Sequence, residues 1–464
     1  MRSKHSLRGK QRMARKTLTW TMTTMLSLGL VLSGCSSSTT ESASTPQPAK
    51  ETAKAAGESA QPAKKVTIKM MHLWPTGNSA TQNKIVNDII KEYQTANPNV
   101  TIEQEVLENE QYKNKMKVLS TSNALPDVGF TWAAGYMDPY VKGDMFAPLD
   151  DLLQGDLKDK FVNGTTNAYA FGGKTYGLPV ELNIVPVYYN KAIFAKYNLQ
   201  VPKTYDEFKN VVKTLSSNGV APIALGNKDR WTGSLWYMYL ADRIGGPETL
   251  KKAIDRTGSF NDPGLVRAAS EITQLVDMNG FNKGFNGLSN DEGKAEFMNS
   301  KAAMYMMGTW ELPNYTTNKD VPQAFKDQIG FFKFPTVDGG KGNLDSWVGG
   351  PGVGLFVANN SKVKEESKKF VSFFVQKWGE HAISEAGVIP ATKVDTSKVK
   401  LPQMYIDLLN ELNKASNITL FADVQMKPAS AEVHLNMIQA LFGKAVTPEE
   451  FAKKHEEALA KESK

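Results

Sequence analysis

The chain has 464 residues, so more than one folded unit is expected. Hydrophobic residues at 41% and charged residues at 22% lie near globular averages, which excludes collagen-like, wholly disordered and polytopic membrane classes. The formal charge of +7 is not spread over the chain: seven of the 55 basic residues lie in Met1–Gly34, which holds no acid, and beyond it 48 basic side chains face 48 acidic ones. A nucleic-acid partner thereby loses its electrostatic support.

The basic start is followed by Leu18–Leu32, apolar or small and too short to cross a hydrocarbon core of ~30 Å. It reads as the apolar region of a signal peptide spanning 1–34. Leu32-Ser-Gly-Cys35 then resembles a bacterial lipobox, and Cys35 is the single cysteine of the sequence. Its thiol is the expected lipid attachment point, which leaves no thiol for a disulfide, a metal or a nucleophile. Residues 36–65 lack every aliphatic and aromatic residue larger than Ala apart from Pro. Such a stretch cannot offset its ordering entropy and is expected to be a tether reaching roughly 30 Å, within a lipid-anchored segment 35–65.

Val66-Thr-Ile-Lys-Met70 alternates as a strand does; Ile85, Ile89 and Tyr93 recur at helical spacing; Val100-Thr-Ile102 starts a second strand. Strand, helix and strand with a long crossover argue for a parallel sheet covered by helices. Thr204 with Glu207, and Thr447 with Glu450, read as capping boxes. Short strands are expected around Gly330–Phe334 and Gly352–Val357. The class is α/β, in two lobes.

No G-x-S-x-G, Walker A or G-x-G-x-x-G motif occurs in a strand-to-helix setting, and the five histidines are scattered without metal-ligand spacing. No metal or cofactor is expected. Aromatic residues do gather beside polar ones in turn-like contexts: Trp74 before Pro75-Thr-Gly77, Trp231 after Lys228-Asp-Arg230, Trp310 after Gly308-Thr309. An exposed indole offers a flat apolar face to a sugar ring while carboxylates and amides take its hydroxyls.

Leu125-Pro-Asp-Val-Gly-Phe130, Tyr176-Gly-Leu-Pro-Val-Glu181, Tyr188-Tyr-Asn-Lys191, Lys301-Ala-Ala-Met304 to Gly308-Thr-Trp310 and Gly387-Val-Ile-Pro390 occur in an order that resembles the extracellular solute-binding proteins of ABC transporters, which include the maltose-binding proteins. The resemblance covers nearly all of 66–464. It implies a type II periplasmic-binding-protein-like fold, each lobe a sheet flanked by helices, without catalysis. The N-terminal lobe is expected from 66–178 and 336–386 and the C-terminal lobe from 181–328 and 388–464, with hinge crossings near 179–181, 329–335 and 387.

The same resemblance implies that Glu181 accepts sugar hydroxyls and that Trp310 stacks on the sugar. Trp132 falls one residue beyond the family's stacking position, Trp231 lies where an aromatic is common, and Asp127 reads as a turn or cap residue before a ligand. Trp74, Asn78, Asn183, Arg230 and Trp347 are further candidates. The Asp-Lys pair that maltose-binding proteins carry after the first strand is replaced here by His72-Leu-Trp-Pro-Thr-Gly-Asn78, so maltose itself is not implied. The expected partners are a sugar or oligosaccharide, ABC permease subunits and a lipid anchor, for a monomer on the extracytoplasmic membrane face of a Gram-positive bacterium. Non-sugar solutes (glycerol phosphate, polyamine, peptide) and a secreted glycoside-acting enzyme stay open as alternatives.

Overall fold

A computed structural model describes residues 64–77 and 79–462. The signal-peptide segment, Cys35, the tether up to residue 63 and Asn78 lie outside the described residues.

The alternating strand Val66–His72 pairs in parallel with Val100–Val106, in register from Val66 opposite Val100 to His72 opposite Val106. The connecting helix Ala80–Ala96 buries Ile85, Ile89 and Tyr93, the face that its periodicity predicts. Val128–Thr131 extends the sheet in parallel on the other side of Val66–His72, and Gly354–Val357 and Leu178–Pro179 complete it antiparallel. Around this sheet a first hydrophobic core holds Ile68, Phe130, Leu178, Phe356 and Trp378.

A second core belongs to a four-stranded sheet ordered Ile329–Phe332, Val187–Asn190, Ala302–Met306 and Ala221–Ala224. The helix Trp231–Gly245 packs in this core and is buried nearly all round, which explains why its sequence is apolar without a polar stripe. Both capping boxes form: Glu207 N–H donates to Thr204 Oγ1 at 3.2 Å, and Glu450 N–H to Thr447 Oγ1 at 3.2 Å, each acid accepting from its partner's backbone in return.

The chain passes between the cores more than once. Val180 packs in the first and Leu182 in the second, two residues apart. The next passage differs from the expectation. Phe332, Phe334, Val337, Trp347 and Val348 all pack in the second core, and Val353 is in the first, so the passage falls within 349–352 and not at 329–335. The strand Ser346–Pro351 explains the shift: it is the middle of a separate three-stranded sheet, parallel to Asn417–Thr419 and antiparallel to Leu182–Ile184, so its side chains stay with the second core until the strand ends. Ala382 and Val388 pack in the first core and Ile383 and Ile389 in the second, and the segment around Val424 returns once more to the first.

Candidate ligand-binding cleft

A cleft of about 1220 Å³, counting the solvent at its mouth, opens between residues of the two cores. Trp74, Val353 and Val424 come to it from the first core, and Leu235 and Met238 from the second.

Glu181 sits at the passage between the cores. Its carbonyl accepts from Gly352 N–H at 2.9 Å, and its backbone bridges Pro390, so the residue is fixed from two sides. Its side chain is only 4% exposed, and Oε1 has no hydrogen-bond partner. Burial raises its pKa to about 7, and the neighbouring Asn183 amide pulls the other way. Asn183 is buried on the adjacent strand, where its Oδ1 accepts from Thr309 Oγ1 at 2.9 Å. That bond commits the carbonyl end of the amide and leaves Nδ2, also buried, without a partner. A Cβ on Gly352 would lie 2.6 Å from Asn183 Nδ2 and 3.4 Å from Glu181 Oε2, so only glycine leaves the space around both groups. The result is one strong acceptor beside one donor, with their remaining valences uncommitted.

Beside this pair stands an aromatic group. Trp310 follows the buried strand Ala302–Met306 through Gly308, where a Cβ would lie 2.1 Å from the indole; glycine lets the ring fold back over the backbone. Its ring meets Trp231 edge to face at 6.1 Å and Phe421 at 5.8 Å, and it remains partly exposed. Its carbonyl accepts from Gln82 Nε2 at 3.2 Å, a bond that ties the helix of the first core to the second. Trp231 opens the helix Trp231–Gly245, and its Nε1 is buried without a partner. Trp132 lines the opposite part, edge to face with Tyr136 and with Lys113 Nζ 4.9 Å from its ring. Trp74 also lines the cleft, but Trp378 stacks on it at 4.6 Å and Phe130 meets it edge on, so it forms wall and not an open platform.

The remaining candidates are elsewhere. Trp347 is 1% exposed in the middle strand of the three-stranded sheet and does not line the cleft, so it is a core residue and not a ligand contact. Arg230 takes a left-handed φ of 68° before the helix and is held by Glu432 and Asn436, both at 2.6 Å; it does not line the cleft. Asp127 fastens a turn, accepting from Lys69 N–H at 2.8 Å and from Ser361 Oγ at 2.6 Å.

The cleft also holds residues that sequence reasoning passed over: Gln82, Glu108, Lys113, Asp229, Lys294, Glu311, Phe421 and Asp423. Two had a signal, Asp229 within Lys228-Asp-Arg230 and Glu311 next to Trp310. The others come from separate helices and connecting segments, some at helix ends and some within helices. Lys294 and Glu311, both buried, pair at 3.1 Å, and Asn314 Nδ2 donates to the other Glu311 oxygen at 2.7 Å. Burial alone would lower the Lys294 pKa, but Glu311 and Asp291 outweigh it and hold it above the usual lysine value.

The sequence model of the bacterial extracellular solute-binding proteins matches residues 77–377. The chain belongs to this family. Among solved structures, this solute-binding protein is similar to one from work on xylan utilisation by the thermophilic bacterium Caldanaerobius polysaccharolyticus, with a TM-score of 0.79 and 32% identity over 84% of this chain and 98% of that one. A chitin oligosaccharide binding protein superposes with a TM-score of 0.78 at 24% identity, over 85% and 99% of the two chains, a likeness of fold. By sequence it is 25% identical over 295 residues to a multiple sugar-binding protein of Streptococcus mutans, covering 61% of this chain and 66% of that protein. The matched stretch covers 55% of an ABC transporter extracellular-binding protein of Pyrococcus horikoshii. The family and these neighbours have the two-lobed architecture, and the two cores and their sheets correspond to it. No helix among the described residues is long and apolar enough to cross a membrane.

Proposed function

We propose that this solute-binding protein captures a sugar or oligosaccharide in the cleft between its lobes and delivers it to the permease of an ABC importer, without catalysing a reaction. The observation that carries this reading is the buried pair of Glu181 Oε1 and Asn183 Nδ2, uncommitted acceptor and donor beside the Trp310 and Trp231 rings. A sugar needs this combination: hydroxyls that donate to a charged acceptor and accept from an amide, and a C–H face that covers an indole. The sugar ligands named for several relatives point the same way.

Lobe closure follows from where the site residues stand. A ligand touching groups from both cores binds the closed arrangement better than the open one, and so shifts the population towards it. The closed form is the one a permease recognises. Anchoring through a lipid on Cys35, with 36–65 as tether, keeps the monomeric binding protein at the extracytoplasmic face.

Tryptophan fluorescence and thermal shift of the intact chain against xylo-, chito- and malto-oligosaccharides test the proposal. A saturable response with a raised melting temperature is expected for at least one series, because a ligand that binds only the native state stabilises it. No response to any sugar would overturn it.

A further inference from the structure

We propose that the cleft selects by charge: it admits uncharged sugar chains and turns away sugars bearing carboxylate, sulfate or phosphate groups. This rests on the sugar-binding reading above.

Six carboxylates line the cleft, those of Glu108, Glu181, Asp229, Asp291, Glu311 and Asp423, against two lysines. Neither lysine is available to an incoming anion. Lys294 is held between Glu311 at 3.1 Å and Asp291 at 3.4 Å. Lys113 is bound to Glu110 at 2.9 Å and lies over the Trp132 ring. No arginine lines the cleft among the described residues.

The other usual anion receptors are the N-termini of helices, whose first N–H groups point outward. Of the helix ends that reach this cleft, the protein's own acids occupy two. At the helix Asn109–Thr121, Glu108 accepts from Glu110 N–H at 3.0 Å and from Gln111 N–H at 3.4 Å. At the helix Asn290–Met298, Asp229 accepts from Asn290 N–H at 2.7 Å, while Ser289 Oγ accepts from Glu292 N–H at 3.3 Å. Both lysines and both of these helix ends are thus already paired with the protein's own acids. A second anion must enter a space that is partly shielded from water and lined by like charge, which weakens binding sharply.

Asp229 feels the charge of Asp291, and Glu108 that of Asp229, two pairs within the cleft lining. Burial raises the pKa of Glu108, Asp229 and Asp423; like charge adds to it, from Glu110 and Asp229 at Glu108, from Glu110 and Asp291 at Asp229 and from Glu110 at Asp423, while Lys113 pulls Asp229 and Asp423 the other way. Asp229 comes from the segment before one helix, Asp423 from the segment that returns to the first core, and Glu108 from a third element, so the acidic field surrounds the cleft from several sides.

The test is calorimetric titration of the intact chain at neutral pH with three forms of one sugar: xylotriose, xylotriose carrying one glucuronic acid, and the methyl ester of that uronate, with the corresponding cellobiose set in parallel. The expected result is binding of the neutral chain, acid binding weaker by about tenfold or more, and recovery with the ester, which has the bulk of the acid without its charge. Asp423→Asn and Asp229→Asn, checked for an unchanged unfolding transition, are expected to narrow the gap between acid and ester. Equal affinity for acid and neutral sugar overturns the inference and leaves the sugar-binding reading standing. An ester as weak as the acid also overturns it, because bulk would then be the cause. If neither series binds, and no xylo-, chito- or malto-oligosaccharide does, the sugar-binding reading itself has failed.

Discussion

His434 and His455 share a hydrogen bond of 2.8 Å in the second core, Nδ1 of the first to Nε2 of the second. His455 Nδ1 lies 2.7 Å from the Phe451 carbonyl, which can only accept, so that nitrogen carries the proton. Its Nε2 is then an acceptor, His434 Nδ1 donates to it, and His434 Nε2 accepts from Ser234 Oγ at 2.7 Å. One direction of hydrogen bonding runs from a cleft-lining helix to the C-terminal helix, and it requires both rings to be neutral.

That neutrality predicts a loss of stability in acid. Burial pushes His455 and His72 down to about 4 and His434 well below its ordinary value, the neighbouring His455 adding to the last. The unfolded chain protonates near 6.5, so the stabilisation is complete above that pH and is lost as pH falls from about 6.5 towards about 4. Each histidine held near 4 contributes at most about 3 kcal/mol. Melting temperature measured from pH 7.5 to 4.5 should fall across this window, and His455→Gln, which keeps a polar side chain but does not titrate, should flatten part of the fall.

Glu181 has the opposite sign. Its folded pKa, about 7, lies above the ordinary 4.5, so its contribution is most favourable below 4.5 and is lost as pH rises through 7. The unliganded protein above pH 7 therefore holds a buried charge at a cost of about 3 kcal/mol. Glu181→Gln should raise the melting temperature at pH 8 while weakening sugar binding about tenfold or more. In the parent protein, affinity should increase as pH rises through 7, because the hydroxyls favour the carboxylate. A variant that loses both stability and affinity at pH 8 would contradict this.

Trp310 and Trp347 separate binding from packing. Trp310→Ala should cost about 2 kcal/mol or more of binding free energy with a modest change in melting temperature. Trp347→Ala should remove about 3 to 5 kcal/mol of folding stability by emptying a core site. Calorimetric titration and chemical denaturation of the two variants, side by side, distinguish the roles.

Gly308 provides a test that removes no ligand contact. Its φ of −70° suits any residue, so Gly308→Ala introduces only a clash with the Trp310 ring. The expected outcome is a loss of affinity approaching that of Trp310→Ala, with the ring's displacement visible as changed fluorescence. An affinity like that of the parent would mean that the ring's position is immaterial.

The sequence by itself determined the local structure and much of the family's pattern. Ile85, Ile89 and Tyr93 form a buried helix face and Thr204 caps Glu207's helix because spacing and capping act over a few residues. Glu181 and Trp310 were legible through the motifs around them. Tertiary structure decided what those local rules cannot reach. Trp347 is a core residue because its strand is the middle of three, and the strand's pairing partners lie about 70 to 170 residues away in the chain, a relation that carries no local signature. Asn183 presents its amide nitrogen only because Thr309, 126 residues distant, takes the other end. The acidic lining likewise arises where separate helix ends, returning segments and the buried Glu181 and Glu311 converge, since only their shared cleft makes these carboxylates one electrostatic field.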